Sequence, residues 1–202
     1  MLTVDEGKKA VQFARDIVES YVKNKKIRSS DLGEFFNQEL GVFVTIHTYP
    51  DHDLRGCIGI PQPIMSLKNA IIESAESATR DPRFPPLDES ELNNIIIEVT
   101  ILTKPELIKV SRPKEYPSHI EIGRDGLIVE QSFYKGLLLP QVPVEQGWGK
   151  EEFLSHTCMK AGLLSDAWFE KNTKIFKFSG QIFTEVTPRG DIKEKKLDGS
   201  DI

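Results

Sequence analysis

Residues 42–60 leave little freedom in how this chain starts its core. Val42, Val44 and Ile46 alternate with Phe43, Thr45 and His47, the period of a strand with one buried face. Pro50-Asp51-His52-Asp53 is turn chemistry. Leu54-Arg55-Gly56-Cys57-Ile58-Gly59-Ile60 then returns as the second strand of a hairpin. A slip of one residue would move every apolar side chain to the other face, so burial fixes the register. Pairing Thr48 with Leu54 sets Ile46 beside Gly56 and Val44 beside Ile58. The opposite face then holds Thr45 across from Cys57 and His47 across from Arg55, with His47 diagonal to Cys57.

Helices are expected on both sides of this hairpin. From Asp5 to about Lys25, Ala10, Phe13, Ala14, Ile17, Val18 and Tyr21 recur at three- and four-residue steps. Thr3 or Asp5 is placed to cap the start, and Lys23 to Arg28 form a basic end that suits a helix C-terminus. Ser66 to Arg80 sets Leu67, Ala70, Ile71, Ser74, Ala75 and Ala78 on one face. Asp81-Pro82-Arg83-Phe84-Pro85-Pro86-Leu87 is a proline-stiffened loop, and Ile95 to Leu102 a β-branched strand. An Asp125-Gly126 turn signal within 121–134 predicts a second hairpin. Trp148 to Gly162 reads as a helix with Gly162 at C′, and Ile175 to Glu185 as a strand. Residues 188–202 are charged and lack aromatics, and read as a mobile tail.

Two stretches share one order of residue types. Arg55-Gly56-Cys57-Ile58-Gly59-Ile60-Pro61-Gln62 and Lys135-Gly136-Leu137-Leu138-Leu139-Pro140-Gln141 both run basic, Gly, apolar, Pro, Gln. Each precedes a helix and a β-rich stretch. This predicts a duplicated hairpin–helix–strand unit folded into one body. Leu137 stands where the first copy has Cys57, so packing alone does not demand a thiol there.

The bulk properties exclude several function classes. Among 202 residues, 39% are hydrophobic and 28% charged, ordinary for a soluble globular protein. Cys57 and Cys158 alone make neither a disulfide framework nor a four-ligand zinc site. The start, Met1-Leu2-Thr3-Val4-Asp5-Glu6, has no basic n-region or apolar h-region. No apolar run approaches the ~20 residues of a membrane helix. A cytoplasmic protein without membrane attachment is expected. The net charge of −5 disfavours nucleic-acid binding, which draws on basic surface.

The candidate chemistry gathers at Cys57. A thiol close to the positive charge of Arg55 is biased toward thiolate, and a neighbouring imidazole supplies a base for nucleophilic catalysis. The candidate catalytic residues are Cys57, with His47 or His156 as base. The candidate substrate-binding residues are Arg55 and Arg83, which would orient an anionic group, with Gly56, Gly59 and Glu98. Gly56 is read as a packing position and Gly59, on the Cys57 face, as an opening for ligand. Glu98, between Ile97 and Val99, pairs with Arg55 or Arg83 or else faces water. Cys158 falls on the apolar face of its helix and His156 on the polar one. No metal site is expected, and no cofactor is indicated. The rival reading is a non-catalytic adaptor whose Arg-Gly-Cys-Ile-Gly run is structural.

The chain resembles the AMMECR family. The resemblance lies in Leu54-Arg55-Gly56-Cys57-Ile58-Gly59, Asp81-Pro82-Arg83-Phe84-Pro85-Pro86-Leu87, Gly136-Leu137-Leu138-Leu139-Pro140-Gln141-Val142, and Gly147-Trp148 leading into Glu152-Phe153-Leu154 and Lys160-Ala161-Gly162-Leu163. It covers roughly residues 5 to 187 and makes 1–187 one domain of that type, with 188–202 as its tail. Gly149 departs from the Asp often found after Gly-Trp, which puts a capping role there in doubt. The resemblance implies an α+β fold, with largely antiparallel sheet and two intimately packed subdomains built from such hairpin–helix–strand units, and supplies no activity. Family members are similar to proteins found beside, or fused with, a Memo-type dioxygenase-like protein and a radical-SAM protein. By that association it implies an enzyme or enzyme accessory in small-molecule or modification chemistry, with those proteins as partners. A small-molecule ligand fits either reading, and the oligomeric state, homo-oligomer or monomer, stays open.

Overall fold

The computed structural model describes residues 2–26 and 32–195. Ile27 and Arg28 of the expected basic helix end, and residues 196–202 of the expected tail, lie outside the described residues. The chain divides into two units, one formed by residues up to Leu102 together with Gln181–Lys195, the other by Thr103–Gly180.

In the first unit, helix α1 (Val4–Val22) starts at Thr3. The Thr3 hydroxyl accepts the Glu6 N–H at 3.2 Å, and the Glu6 carboxylate accepts the Thr3 N–H at 2.8 Å, a reciprocal cap that satisfies two donors at once. Strands β1 (Gly41–Thr48) and β2 (Leu54–Ile60) form the hairpin, followed by helix α2 (Leu67–Ala78), capped by Ser66, and strand β3 (Ile95–Leu102). Strand β7 (Lys174–Glu185) ends in this unit, and β8 (Ile192–Lys195) pairs antiparallel with it. The strand order is β2-β1-β3-β7, with β8 on β7. The expected tail therefore holds a strand: Ile182 faces Lys195 and Glu185 faces Ile192. Phe13 and Ile17 of α1, Ile71 and Ala75 of α2, Val44, Ile46, Ile97 and Val99 of the sheet, and Phe183 share one buried cluster.

One charge interrupts the apolar stripe of α1. Arg15 is 4% exposed. Its Nε donates to Glu185 Oε1 at 3.0 Å, Nη2 also pairs with Glu185 Oε2, and two more N–H groups reach the Leu92 and Ile95 carbonyls. Glu185 Oε2 also accepts the Ile97 N–H at 2.9 Å. Both partners are thus desolvated and hydrogen-bonded beyond each other, the condition under which a buried ion pair is tolerable.

In the second unit, β4 (Glu106–Leu107) and β5 (Asp125–Gln131) flank the first part of β7, and β6 (Tyr134–Leu138) lies outside β5. Helices α3 (Gln141–Gln146) and α4 (Lys150–Lys160) follow β6. The hairpin turn falls at Ser132-Phe133, where Ser132 has φ +54°, rather than at Asp125-Gly126. The reason is burial. Asp125 is held inside by Arg124 and the Glu121 N–H, and Gly126 lies under the Phe178 ring. Gly162, with φ +78°, follows the end of α4. The N–H of Gly149 is capped by Glu152 at 2.8 Å, so no side chain is needed at position 149.

The two units repeat one topology. In the first, β1 pairs on one side with β2 and on the other with β3; in the second, β5 pairs with β6 and β7 in the same way. The equivalent glycines share a contact. A Cβ on Gly56 would lie 2.3 Å from the Ala78 carbonyl oxygen at the end of α2, and one on Gly136 would lie 2.4 Å from the Ala161 nitrogen at the end of α4. In each copy the returning strand meets the end of the following helix backbone to backbone. The next row differs: Cys57–Thr45–Glu98 in the first copy, Leu137–Ile128–Phe176 in the second.

Replacing Glu185 by Gln leaves the Arg15 charge buried without a counter-ion, and is expected to cost about 3–5 kcal/mol in denaturant unfolding. The double replacement Arg15→Met, Glu185→Met is expected to recover most of that loss. A Glu185→Gln chain as stable as wild type would show the pair to be dispensable.

Candidate functional site

The hairpin register holds over most of its length, with Val44 facing Ile58, Thr45 facing Cys57 and Ile46 facing Gly56. It departs at the turn end. A bulge between Ile46 and His47 sets His47 opposite Leu54 instead of Arg55, so Arg55 is the extra residue. His47 still shares the Cys57 face, because it follows Thr45 by two along β1.

Cys57 is half-buried, and its Sγ accepts a hydrogen bond from Thr45 Oγ1 at 3.2 Å. Burial pushes the thiol above its ordinary pKa, opposed in part by that hydrogen bond and by the charge of Arg83. The expected bias toward thiolate from Arg55 is therefore corrected. Arg55, whose side chain is 13% exposed, is engaged with Glu91, its Nε donating at 2.7 Å and Nη2 at 3.0 Å, and it does not act on the thiol.

Beyond Thr45 in the same row lies Glu98 of β3. Its partners are neither Arg55 nor Arg83. His47 Nε2 is 3.9 Å from Oε1, and Lys195 Nζ of β8 is 3.6 Å from Oε2. Burial raises the Glu98 carboxyl, but His47 and Lys195 outweigh it and hold the group below the usual carboxylate range. His47 Nδ1 is buried and has no hydrogen-bond partner among the described residues.

The proline loop reaches the cysteine through its main chain. The Cys57 N–H donates to Asp81 Oδ2 at 2.9 Å, and Arg83 Nη2 donates to the Cys57 carbonyl at 3.2 Å. Arg83 closes back on Asp81 through its own N–H at 3.1 Å, Nε at 3.0 Å and Nη2 at 2.6 Å. Asp81 is buried, and these bonds, led by that from Arg83, pull its carboxyl far below the usual range against the effect of burial. Sequence reading passed over Asp81, although it opens the loop that also holds Arg83. It also missed Lys195, for which no local signal exists.

The glycines are filled positions. Gly56 abuts the Ala78 carbonyl, and a Cβ on Gly59 would lie 2.3 Å from Phe43 Cδ1 and 2.5 Å from the Val42 carbonyl oxygen. The expected opening at Gly59 is occupied by its cross-strand partner Phe43. His156 belongs to the second unit, where it stacks on Trp148 with ring centroids 3.7 Å apart and planes within 3°. Cys158 is fully buried, and burial pushes its thiol up to about 11. Among the described residues, no group of three or more His, Cys, Asp or Glu is placed to hold a metal ion, and no helix is long and apolar enough to cross a membrane. The chemistry within reach is that of a neutral, hydrogen-bonded thiol beside a histidine–carboxylate pair.

A family model described as AMMECR1 matches residues 11–183. The chain is 58% identical over 198 residues to Protein MJ0810 of Methanocaldococcus jannaschii, covering 98% of each. It is 50% identical over 197 residues to Protein PH0010 of Pyrococcus horikoshii, covering 95% of each. The crystal structure of uncharacterized protein PH0010 is similar with a TM-score of 0.85, at 48% identity, covering 96% of this chain and 98% of that one.

Gly59→Ala is expected to overpack the hairpin and lower stability by about 1–3 kcal/mol, in the range also expected for Gly56→Ala. Thermal melting of the two side by side checks this; an unchanged melt for Gly59→Ala would mean that the Phe43 ring and the Val42 carbonyl both yield to the added methyl. Asp81 carries a second expectation. Its folded pKa is depressed, so its contribution is present above the unfolded value of about 4 and is lost as pH falls below it. Asp81→Asn is therefore expected to be less stable than wild type at pH 7, with the gap narrowing toward pH 3. A gap that stays constant in urea unfolding across that range would remove Asp81 from the acid response.

Proposed function

This chain belongs to the AMMECR1 family, and we propose that it is a cysteine-dependent enzyme, or an enzyme accessory, acting on small molecules at the Cys57 face of its first unit. One observation carries the reading. The duplicated topology tolerates Leu137–Ile128–Phe176 in the second copy, so the fold does not require Cys57–Thr45–Glu98 in the first. Half-buried polar rows without a packing reason concentrate where chemistry is done.

In this reading Cys57 Sγ is the nucleophile and transient acyl carrier, and His47 is its base. Glu98 faces Nε2 of His47, which orients the ring on the Cys57 face. Attack on an acyl carbonyl forms the C–S bond as the thiol proton passes to the imidazole. The leaving group then departs with its bonding pair and takes up that proton. The raised thiol pKa makes such a base necessary at neutral pH.

The adaptor reading keeps one specific support. Gly56, Gly59 and Arg55 are all engaged by neighbours within the fold, as a purely structural motif would be.

A panel of small acyl thioesters, followed by intact-mass analysis, separates the two. An adduct of the acyl mass is expected on Cys57, absent in Cys57→Ser and formed on the order of a hundredfold more slowly in His47→Gln. Iodoacetamide labelling of Cys57 is expected to rise with pH about a midpoint above the ordinary thiol value of about 8.5, and Thr45→Val moves that midpoint higher still. Labelling by iodoacetamide without acylation by any thioester would favour the adaptor.

A further inference from the structure

We propose that Arg83 is the specificity-determining residue of the Cys57 site, receiving the carboxylate or phosphate of an anionic substrate on the outer edge of its guanidinium. This rests on the reading of Cys57 as the reacting group and adds the chemical class of what it reacts with.

Arg83 has two unlike edges. The inner one is fixed: Nε and Nη2 grip the buried Asp81 carboxylate at 3.0 and 2.6 Å, and Nη2 also donates to the Cys57 carbonyl at 3.2 Å. Among the described residues, Nη1 has no hydrogen-bond partner, and the side chain is 56% exposed. An arginine held this way has little rotamer freedom left to lose, so its outer N–H groups are pre-set donors. The guanidinium carbon lies 5.6 Å from the centroid of the Phe84 ring, which adds a further restraint on its plane.

The other cations of this unit near the site do not compete for the role. Arg55 is closed on Glu91, and Lys195 lies beside Glu98. Arg83 is bonded to the Cys57 main chain and its charge also acts on the Cys57 thiol, so an anion on its outer edge is drawn to the residue that reacts. Asp81 is then a positioning residue, holding the Cys57 peptide by its N–H and the guanidinium by its fork.

Two alkylating reagents that differ in charge test this on the folded chain. Iodoacetate is anionic and iodoacetamide neutral; with either, Sγ displaces iodide, the C–S bond forms as the C–I pair leaves, and the thiol proton passes to solvent. The rate ratio of iodoacetate to iodoacetamide at Cys57, read by peptide mass mapping, is expected to fall about fivefold in Arg83→Gln at low ionic strength. Arg83→Lys keeps the charge and is expected to retain most of the ratio. In wild type the ratio is expected to drop toward the Arg83→Gln value as salt is raised. A ratio equal in wild type and both variants, with Cys57 still labelled, overturns the anion role and leaves the thiol reading standing. No labelling of folded Cys57 by either reagent overturns both. Far-UV circular dichroism and melting establish that each variant is folded before its ratio is read.

Discussion

The first unit depends on a single desolvated ion pair. Arg15 comes from the first helix, Glu185 from the end of β7, and the groups they bond lie at Leu92, Ile95 and Ile97. The two side chains are 170 residues apart in sequence. Hydrophobic contact could settle α1 on the sheet in several neighbouring registers, because apolar surface is forgiving of small shifts. A guanidinium that makes four hydrogen bonds and a carboxylate that accepts three are not. The pair therefore fixes where α1 lies, and with it the depth at which Phe13 and Ile17 enter the core.

Local pattern made much of this legible. Helices α1, α2 and α4 and strands β1, β2, β3 and β7 follow from periodicity and caps, and burial alone set the register that brings Thr45 against Cys57. Other features follow from contacts that no window of sequence contains. Arg55 is the extra residue of a bulge, and its guanidinium is taken by Glu91, 36 residues on. Asp125-Gly126 carries a turn signature, yet a buried carboxylate and the Phe178 ring hold it within a strand. Strand β8 has the composition of a tail and is ordered by pairing with β7. A glycine at 59 predicts an opening because it has no side chain, but whether that space stays empty depends on Phe43 across the hairpin.

The duplicated hairpin gives an internal control that a single copy lacks. Both copies keep the glycine that lets the second strand touch the helix end, at Gly56 and Gly136, which marks that position as architecture. Only one copy carries a thiol, a hydroxyl and a carboxylate across the neighbouring row. What differs between two solutions to the same packing problem is what packing did not choose.

The grip of Asp81 and Arg83 on the Cys57 peptide has a consequence for how this protein behaves in company. Strand β2 is the outermost of its sheet, and an outermost strand offers unpaired N–H and C=O groups to any other extended chain. Here the central residue of that strand, Cys57, has its N–H and its C=O both occupied by side chains of the proline loop. A neighbouring molecule can no longer add a strand along the motif without first displacing a buried carboxylate. The same two residues that hold the cysteine in place thus guard against edge-to-edge aggregation, and a chain that lost them would be exposed to self-association through β2 while its core remained intact.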